Sequence, residues 1–383
     1  MPEQVPRNHD LIFVINSGSS SLKFGLYYRG SNDEEPLLTG SAEGIGKSNG
    51  SLHVRTAAGK SLVSRECVHE SQRQALSVVE RAIREHVQDT PIAVGHRVVH
   101  GGPRLVTHQR ITPQVCEQLR AALHFAPVHI PQALSLIAAA EATFPESAQF
   151  ACFDDAFHCS MPEVAAHLSL PQRYYDAGVR RYGFHGLSYE SLVHYFGAKL
   201  PQRAIFAHLG NGASLCALRR GVSIDTTMGL TPTGGIPMST RTGDLDPGVL
   251  LYLLRTEKLD ADQVEDLINH RSGLYAYSCG ESDVQALEQR IRNHDPRATL
   301  ALDVFATSVR KIIGAYVALL GGIDLLVFTG GIGEHSSYVR EAVTQGLECI
   351  GVTSDKIQIV SPQEEKQIAR HCRSLLAQAN HPQ

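Results

Sequence analysis

The sequence lacks the features that mark several specialised classes of protein. None of its eight cysteines forms a C-x-x-C pair. In a chain of 383 residues they are expected to be reduced and mostly buried, as in a cytoplasmic protein. A cysteine nucleophile stays open, although the spacing selects no candidate. The longest uncharged apolar run, between Lys311 and Asp324, is shorter than the ~18 residues of a membrane span.

Charge and N-terminal sequence exclude further classes. The formal net charge is -4, so the chain has no general basic field that would attract nucleic acid or an anionic membrane. The first residues include Glu3 and Asp10 and lack a signal-peptide pattern. We therefore expect a protein without nucleic-acid or membrane partners.

Strand-like and helical segments alternate along the chain. The composition, 43% apolar and 19% charged, is typical of a globular protein, and the length suits two or three domains at ~100–200 residues each. Residues Leu11–Ile15 and Phe24–Tyr28 predict a hairpin, and Ile92–Gly102 predicts a strand that enters a glycine turn. A helix is predicted to begin at Pro131, and a long one covers Ala298–Gly322. This mixture predicts an α/β architecture.

Two segments about half a chain apart have a similar pattern. When "IFVINSGSSSLKFGL" from Ile12 is aligned with "IFAHLGNGASLCALR" from Ile205, both show a strand, a turn of small residues and a second strand. This repetition suggests a duplicated fold.

Three turns rich in glycine or serine have the composition of phosphate-binding loops. They are Ser17–Ser21, followed by Lys23, then His208–Ser214, and "FTGGIGEH" at Phe328–His335. Such turns direct backbone N–H groups and hydroxyls at one point, where an anion can bind. One such turn alone is better interpreted as an ordinary polar hairpin, but three together favour a phosphate site. Neither the P-loop nor the dinucleotide signature occurs at a strand-to-helix junction.

Charged and imidazole side chains follow several of the predicted strands. The arginines suit phosphoryl oxygens, because the guanidinium is a permanent planar cation. Singly, each residue is better explained as a surface or capping group, and only their joint occurrence favours a site. The residues are His96, Arg97, His100, Asp154, Asp155, His158, His185, Arg241, Asp244 and Asp246.

Together these motifs resemble the acetate/propionate kinase family of the actin-like ATPase superfamily. "VINSGSSSLKF", "GHRVVHGG", "FDDAFH", "RRYGFHG", "HLGNGAS", "DTTMGLTP", "TRTGDLDPG" and "GGIGEH" occur in the family's order, and "QEEKQIAR" gives a weaker match near the end. The resemblance implies two α/β domains of the actin-like, ribonuclease H-like type with an active-site cleft between them. The first would comprise residues 1–153 and 365–383, and the second residues 154–364.

The resemblance also implies roles for individual residues. Asp154, His185, Arg241 and Arg97 would be catalytic, and Arg97, Val99, Val128 and Pro232 would bind the acyl substrate. Asn16 and Glu364 match positions associated with Mg²⁺, with Mn²⁺ as an alternative. The nucleotide-binding positions would be Lys23, His208, Leu209, Gly210, Asn211, Gly212, Asp283, Val284, Gln285, Gly331, Ile332, Gly333, Glu334 and His335.

The implied reaction is reversible, direct in-line phosphoryl transfer from ATP to acetate, which gives acetyl phosphate and ADP. The family also implies a cytoplasmic homodimer. Propionate kinase and butyrate kinase are enzymatic alternatives. A non-catalytic actin-like nucleotide switch is the alternative from another class, but it would not require Arg97, Asp154, His185 and Arg241 together.

The chain departs from the family pattern at four places. It has Thr233–Gly235 where L-E-G is usual, and Ser239 where glycine is usual. Gln285 replaces an arginine near the nucleotide, which removes a permanent cation. The segment before Gln363 is shorter than usual, which bears on the assignment of Glu364.

Overall fold

The computed structural model describes residues 10–18, 20–30 and 35–379. Ser19 of the predicted phosphate turn lies outside them, as do residues 1–9 and 380–383 of the predicted first domain. The chain forms two compact units. Unit 1 runs to Ala156 and resumes at Gln363, and unit 2 is Phe157–Pro362. The domain ranges predicted from the sequence stay a prediction.

The described residues form strands and helices throughout both units. The strands are β1 Leu11–Ser17, β2 Ser21–Tyr28, β3 Leu38–Glu43, β4 Ser51–Thr56, β5 Ser61–Glu66, β6 Ala93–Val98, β7 Gln109–Arg110, β8 Ala148–Phe153, β9 Arg203–Leu209, β10 Ala213–Arg219, β11 Val222–Thr226, β12 Leu325–Thr329 and β13 Ile357–Ile359. The helices are α1 Gln72–Arg84, α2 Pro113–Ala121, α3 His129–Thr143, α4 Glu163–Ala166, α5 Gln172–Asp176, α6 Gly186–Phe196, α7 Pro247–Arg255, α8 Ala261–His270, α9 Gly273–Tyr277, α10 Val284–Arg292, α11 Pro296–Leu320, α12 Gly330–His335, α13 Ser337–Thr344 and α14 Glu364–Ala379. Short 3-10 helices cover Leu123–Phe125, Ala156–Ser160, Gly197–Lys199, Leu347–Ile350 and Ser354–Lys356.

Unit 1 is built on a sheet with the strand order β5-β4-β3-β2-β1-β6-β8-β7. Strands β1 and β2 pair antiparallel, which confirms the predicted hairpin. Strands β1, β6 and β8 run parallel, so the residues at their carboxyl ends lie along one edge of the sheet. Helix α14 packs on β6 at Gly95, where a Cβ would lie 2.6 Å from Cys372 Sγ. A larger residue than glycine would therefore separate this helix from the sheet.

Unit 2 contains a smaller sheet with the order β11-β10-β9-β12-β13. Strands β9 and β10 form an antiparallel hairpin, and β12 runs parallel to β9. The second segment of the sequence alignment therefore folds, like the first, into a strand, a turn and a strand. The turn after β9 and the glycine motif after β12 lie at the same edge of this sheet, because parallel strands end on the same side.

Local structure differs from the prediction at two helix starts. Helix α3 begins at His129, two residues before Pro131. The "GGIGEH" motif, predicted as a glycine turn, is the short helix α12. Its first residue, Gly330, has a φ of 77°, and a Cβ there would lie 2.7 Å from the Leu209 carbonyl oxygen. The predicted long helix is confirmed as α11, and Gly321 ends it in a left-handed conformation.

In the part of the chain that the structure describes, none of the helices combines the length and the hydrophobicity of a membrane span.

Candidate active-site residues

Three of the predicted site residues in unit 1 meet at one edge of its sheet. Asn16 lies near the end of β1, Arg97 near the end of β6, and Asp154 directly after β8. One terminal nitrogen of Arg97 donates to Asp154 Oδ2 at 2.6 Å, and the other donates to Asn16 Oδ1 at 3.4 Å. The topology of parallel strands thus brings together residues that are up to 138 positions apart in the sequence.

The Arg97 guanidinium is largely buried at this edge. Burial acts to lower the pKa of Arg97, but the carboxylates of Asp154 and Glu364 outweigh it, and the pKa lies above its usual value. The group is therefore a permanent cation. Its Nε is buried and has no hydrogen-bond partner among the described residues. A buried donor of this kind is costly to leave unpaired, so it favours the arrival of an anionic acceptor.

Asn16 also contacts two carboxylates at the start of α14. Its Nδ2 donates to Glu364 Oε2 at 2.9 Å and to Glu365 Oε1 at 2.8 Å. The two carboxylates at this amide repel each other, and the nearby Arg97 guanidinium offsets part of that repulsion. Carboxylate and amide oxygens are also the hard ligands that Mg²⁺ prefers. The donor set therefore fits the predicted metal, and it includes Glu365, which the sequence analysis did not select.

The turn after β6 is fixed by a buried acid and imidazole. Asp155 Oδ2 lies 2.8 Å from His100 Nδ1 and accepts from the Gly101 amide at 3.1 Å. The partly buried Val99, which the resemblance assigns to the acyl substrate, belongs to this turn. Val128 precedes α3 and is 49% exposed.

Some backbone groups of the serine turn between β1 and β2 already form hydrogen bonds within the protein. The Gly18 amide donates to the Ser21 carbonyl at 2.8 Å, and the Gln72 side chain donates to the Gly18 carbonyl at 2.8 Å. The Gly18 amide is thus engaged within the turn. Lys23 lies opposite Asn16 in the β1–β2 pair, with an exposed side chain. It belongs to unit 1, whereas the other predicted nucleotide-binding residues belong to unit 2.

In unit 2, His185 has an unusual backbone conformation. Its φ of 61° is left-handed, and it immediately precedes α6. Non-glycine residues in this region cost free energy and persist only where their surroundings hold them. His158 provides one such contact, because its Nε2 lies 3.1 Å from the Phe184 carbonyl oxygen and must donate to it. The preceding Gly183, with a φ of 77°, allows this ring to approach.

Gly212 lies between the two predicted catalytic residues of unit 2. A Cβ at Gly212 would lie 3.2 Å from His185 Nε2 and 3.5 Å from the terminal nitrogen NH1 of Arg241. That same arginine nitrogen donates to the Pro232 carbonyl at 3.2 Å. The Gly212 backbone therefore has an imidazole nitrogen and a guanidinium on one side, and both groups can donate to an anion.

The residues predicted to bind nucleotide group around the edge formed by β9 and β12. His208 and Leu209 end β9, and the turn Gly210–Gly212 closes on itself through a 3.1 Å bond from the Gly210 amide to the Gly212 carbonyl. Gly331, Ile332, Gly333, Glu334 and His335 lie in α12, directly after β12. The imidazole of His208 stacks on His185 with ring centroids 4.2 Å apart.

The remaining predicted nucleotide-binding residues begin another helix. Asp283 caps α10, with its side chain accepting from the Ala286 amide at 2.8 Å. Val284 is buried, and Gln285 is exposed in the first turn of this helix. Asp283 thus has a structural role as a helix cap, and both Asp283 and Gln285 are exposed.

Sequence reasoning assigned no specific role to several residues that support these side chains. Glu365 contacts Asn16, Ser214 contacts His185, and His158 holds the carbonyl before His185. His158 carries a sequence signal, since it belongs to the "FDDAFH" motif. No comparable signal marks Ser214 as a partner of His185.

The chain is similar to known proteins over nearly its whole length. The model of the Acetokinase family matches residues 11–377. The chain is 37% identical to the acetate kinase of Methylocella silvestris over 96% of this chain and 98% of the relative. It is 38% identical to the acetate kinase of Alkaliphilus metalliredigens over 95% of this chain and 100% of the relative.

Two solved structures with similar folds are named as an acetate kinase and a propionate kinase. Acetate kinase from Porphyromonas gingivalis is 33% identical with a TM-score of 0.84, covering 96% of this chain and 100% of that one. A propionate kinase from Francisella tularensis is 31% identical with a TM-score of 0.86, covering 94% and 98%. The predicted actin-like α/β fold class is thereby confirmed. A family model that spans both units, and relatives that match over nearly their whole length, show that the chain belongs to the Acetokinase family.

Proposed function

We propose that this protein is an acetate kinase that transfers the γ-phosphoryl group of ATP directly and in line to acetate, reversibly. Family membership supports the activity. The observation that carries the residue assignment is the buried Arg97 guanidinium, which contacts Asp154 and Asn16 and retains an unpartnered Nε among the described residues. Such a donor suits a small carboxylate.

Arg97 and Asp154 bind and orient the acceptor. Acetate is already ionised at neutral pH, so its attack on phosphorus needs no general base. Arg97 holds the acetate carboxylate through its Nε, and Asp154 fixes the guanidinium plane with its 2.6 Å hydrogen bond. Val99, Val128 and Pro232 contact the methyl group. Positioning of this kind supplies much of the rate enhancement in phosphoryl transfer.

His185 and Arg241 stabilise the transferring phosphoryl group. Both present nitrogens beside Gly212, so both can donate to the equatorial oxygens on which negative charge is spread in the transition state. The turn Gly210–Gly212 and helix α12 bind the nucleotide, together with Lys23, Asp283, Val284 and Gln285.

Asn16, Glu364 and Glu365 are the residues that would hold Mg²⁺. When bound, the metal neutralises charge on the nucleotide phosphates. The contacts of Asn16 with both glutamates support this assignment.

A homodimer in the cytoplasm is the assembly and location that we propose. Helix α7 supports the homodimer, because none of its residues is buried in this chain, and Val249, Leu251, Tyr252 and Leu254 are each between 41% and 53% exposed. Exposed apolar side chains concentrated on one helix are typical of a protein interface. Eight free cysteines suit a reducing compartment. The expectation that most of them are buried is wrong, because only Cys152, Cys216 and Cys372 are buried.

A hydroxamate assay for acyl phosphate tests the proposed activity. Purified protein is incubated with acetate, propionate or butyrate, each with ATP, GTP or pyrophosphate as donor. We expect the highest kcat/KM with acetate and ATP, a lower but measurable value with propionate, and loss of activity in the Arg97→Ala variant. ATP binding without any acyl phosphate product would instead support a nucleotide switch, and a preference for propionate would favour the function named for the Francisella relative.

A further inference from the structure

The His185 ring is connected to a tyrosine through a serine. His185 Nδ1 lies 2.9 Å from Ser214 Oγ, and Ser214 Oγ lies 2.5 Å from the Tyr189 hydroxyl. Ser214 and Tyr189 are both fully buried. Tyr189 comes from the first turns of α6, and Ser214 comes from β10. Ser214 thus contacts the ring at Nδ1, and Tyr189 contacts Ser214 from a separate element.

The direction of these hydrogen bonds follows from the role of His185. Its Nε2 lies beside Gly212, and in the proposed function this nitrogen donates a hydrogen bond to a phosphoryl oxygen. In a neutral imidazole, a proton on Nε2 leaves Nδ1 as an acceptor. Ser214 must then donate its single proton to Nδ1, and its oxygen can accept from the Tyr189 hydroxyl.

A neutral imidazole also suits its neighbours. The permanently charged Arg241 guanidinium approaches the same point beside Gly212, so a second positive charge on His185 would be repelled. The two hydroxyls then serve one purpose, which is to keep the proton of His185 on Nε2.

We propose that Tyr189 and Ser214 are positioning residues that fix both the orientation and the Nε2–H tautomer of His185. The inference rests on the proposed function, because it assumes that His185 donates to the transferring phosphoryl group. The Tyr189 hydroxyl donates to Ser214, and the Ser214 hydroxyl donates to Nδ1. Removing either hydroxyl releases the ring and its proton while the residues that bind substrate stay in place.

The tautomer is measured directly by long-range proton–nitrogen NMR on the whole protein labelled with ¹⁵N-histidine. The spectrum of a His185→Gln variant identifies the signals of this ring. In the wild-type protein we expect a protonated Nε2 and an unprotonated Nδ1, and in Ser214→Ala and Tyr189→Phe we expect a mixture of the two tautomers. A wild-type ring with its proton on Nδ1 alone, or unchanged tautomer signals in both variants, would overturn the proposal.

Kinetics separates positioning from a merely structural role. Losing one neutral hydrogen bond should lower kcat in Tyr189→Phe by roughly 2- to 12-fold, with KM for acetate and for ATP unchanged. The forward and reverse kcat values should fall by the same factor. The matched control is Tyr182→Phe, which removes a buried hydroxyl that donates at 2.8 Å to the Gly178 carbonyl and should retain wild-type kinetics. Equal kinetic losses in both tyrosine variants would overturn the proposal.

The NMR measurement also keeps the two proposals distinct. If the wild-type protein makes no acyl phosphate, the proposed function fails, yet the tautomer spectra still decide whether Tyr189 and Ser214 control His185. Tyr189→Phe preserves the size of a fully buried ring, so this variant remains informative if Ser214→Ala does not fold.

Discussion

A methyl group added at Gly212 should lower turnover without unfolding the protein. The Cβ of an alanine would lie 3.2 Å from His185 Nε2, closer than nine in ten real Cβ contacts, so the ring would have to retreat by a few tenths of an ångström. The ring cannot retreat freely, because Ser214 holds its Nδ1, His208 stacks on it, and His158 fixes the preceding carbonyl. The strain therefore reaches His185 Nε2, which in the proposed function donates to the phosphoryl group.

The size of the loss follows from that displacement. A misplacement of about 1 Å at a catalytic group costs roughly 10²-fold, so a few tenths of an ångström should lower kcat by roughly 10-fold in Gly212→Ala. The free energy of unfolding should change by less than about 1 kcal/mol. Gly212 does not require left-handed φ, and the gain from a stiffer unfolded chain offsets part of the tight contact.

The assay pairs steady-state acyl phosphate formation with urea denaturation. The matched control is Gly229→Ala, where an added Cβ meets no described atom within 4 Å, so kcat should be unchanged. Wild-type turnover in a folded Gly212→Ala protein would show that the His185 position beside Gly212 does not matter. A raised KM for ATP with unchanged kcat would assign Gly212 to nucleotide binding alone.

Four further substitutions test the acyl pocket, the nucleotide site and the metal site. Val99→Ala enlarges the acyl pocket, so kcat/KM for propionate should rise relative to kcat/KM for acetate. One methylene in such a pocket is worth ~1–3 kcal/mol of discrimination. A stronger preference for acetate would show that Val99 does not line the pocket. Gln285→Arg restores a cation on an exposed helix turn, so KM for ATP should fall about tenfold while KM for acetate stays constant. An unchanged KM for ATP would contradict the idea that the missing arginine weakens ATP binding. Glu365→Gln and Glu364→Gln should each raise the Mg²⁺ concentration needed for half-maximal activity, and a change in only one of them would identify the ligand.

Much of the fold could be predicted from the sequence because its signals are local. Alternating apolar runs around small-residue turns define the hairpins β1–β2 and β9–β10, and Gly321 marks the end of α11. Glycine content argued against a helix at "GGIGEH", yet α12 forms there. The close approach of Gly330 to the Leu209 carbonyl shows that packing between neighbouring strands outweighs local propensity at this point.

The sequence could predict the site residues that belong to recognisable motifs, but not those that tertiary packing brings to the site. Arg97 and Asp154 stand out as charged residues at strand ends, and the parallel order of β6 and β8 explains why they meet. Glu365 could not be distinguished from Glu364, because the choice depends on how α14 docks beside Asn16. The link from Tyr189 to Ser214 spans 25 residues and depends on how α6 packs against β10, which no local pattern records.

The stereochemical course at phosphorus shows whether the transfer is direct. In the proposed function the phosphoryl group moves straight from ATP to an acetate held by Arg97, without a covalent intermediate on the protein. The enzyme would be supplied with ATP made chiral at the γ-phosphorus by oxygen isotopes, and the configuration of the acetyl phosphate would be determined. A single in-line transfer inverts the configuration at phosphorus, so we expect inversion. Retention would require two successive transfers through a phosphorylated residue and would contradict direct transfer.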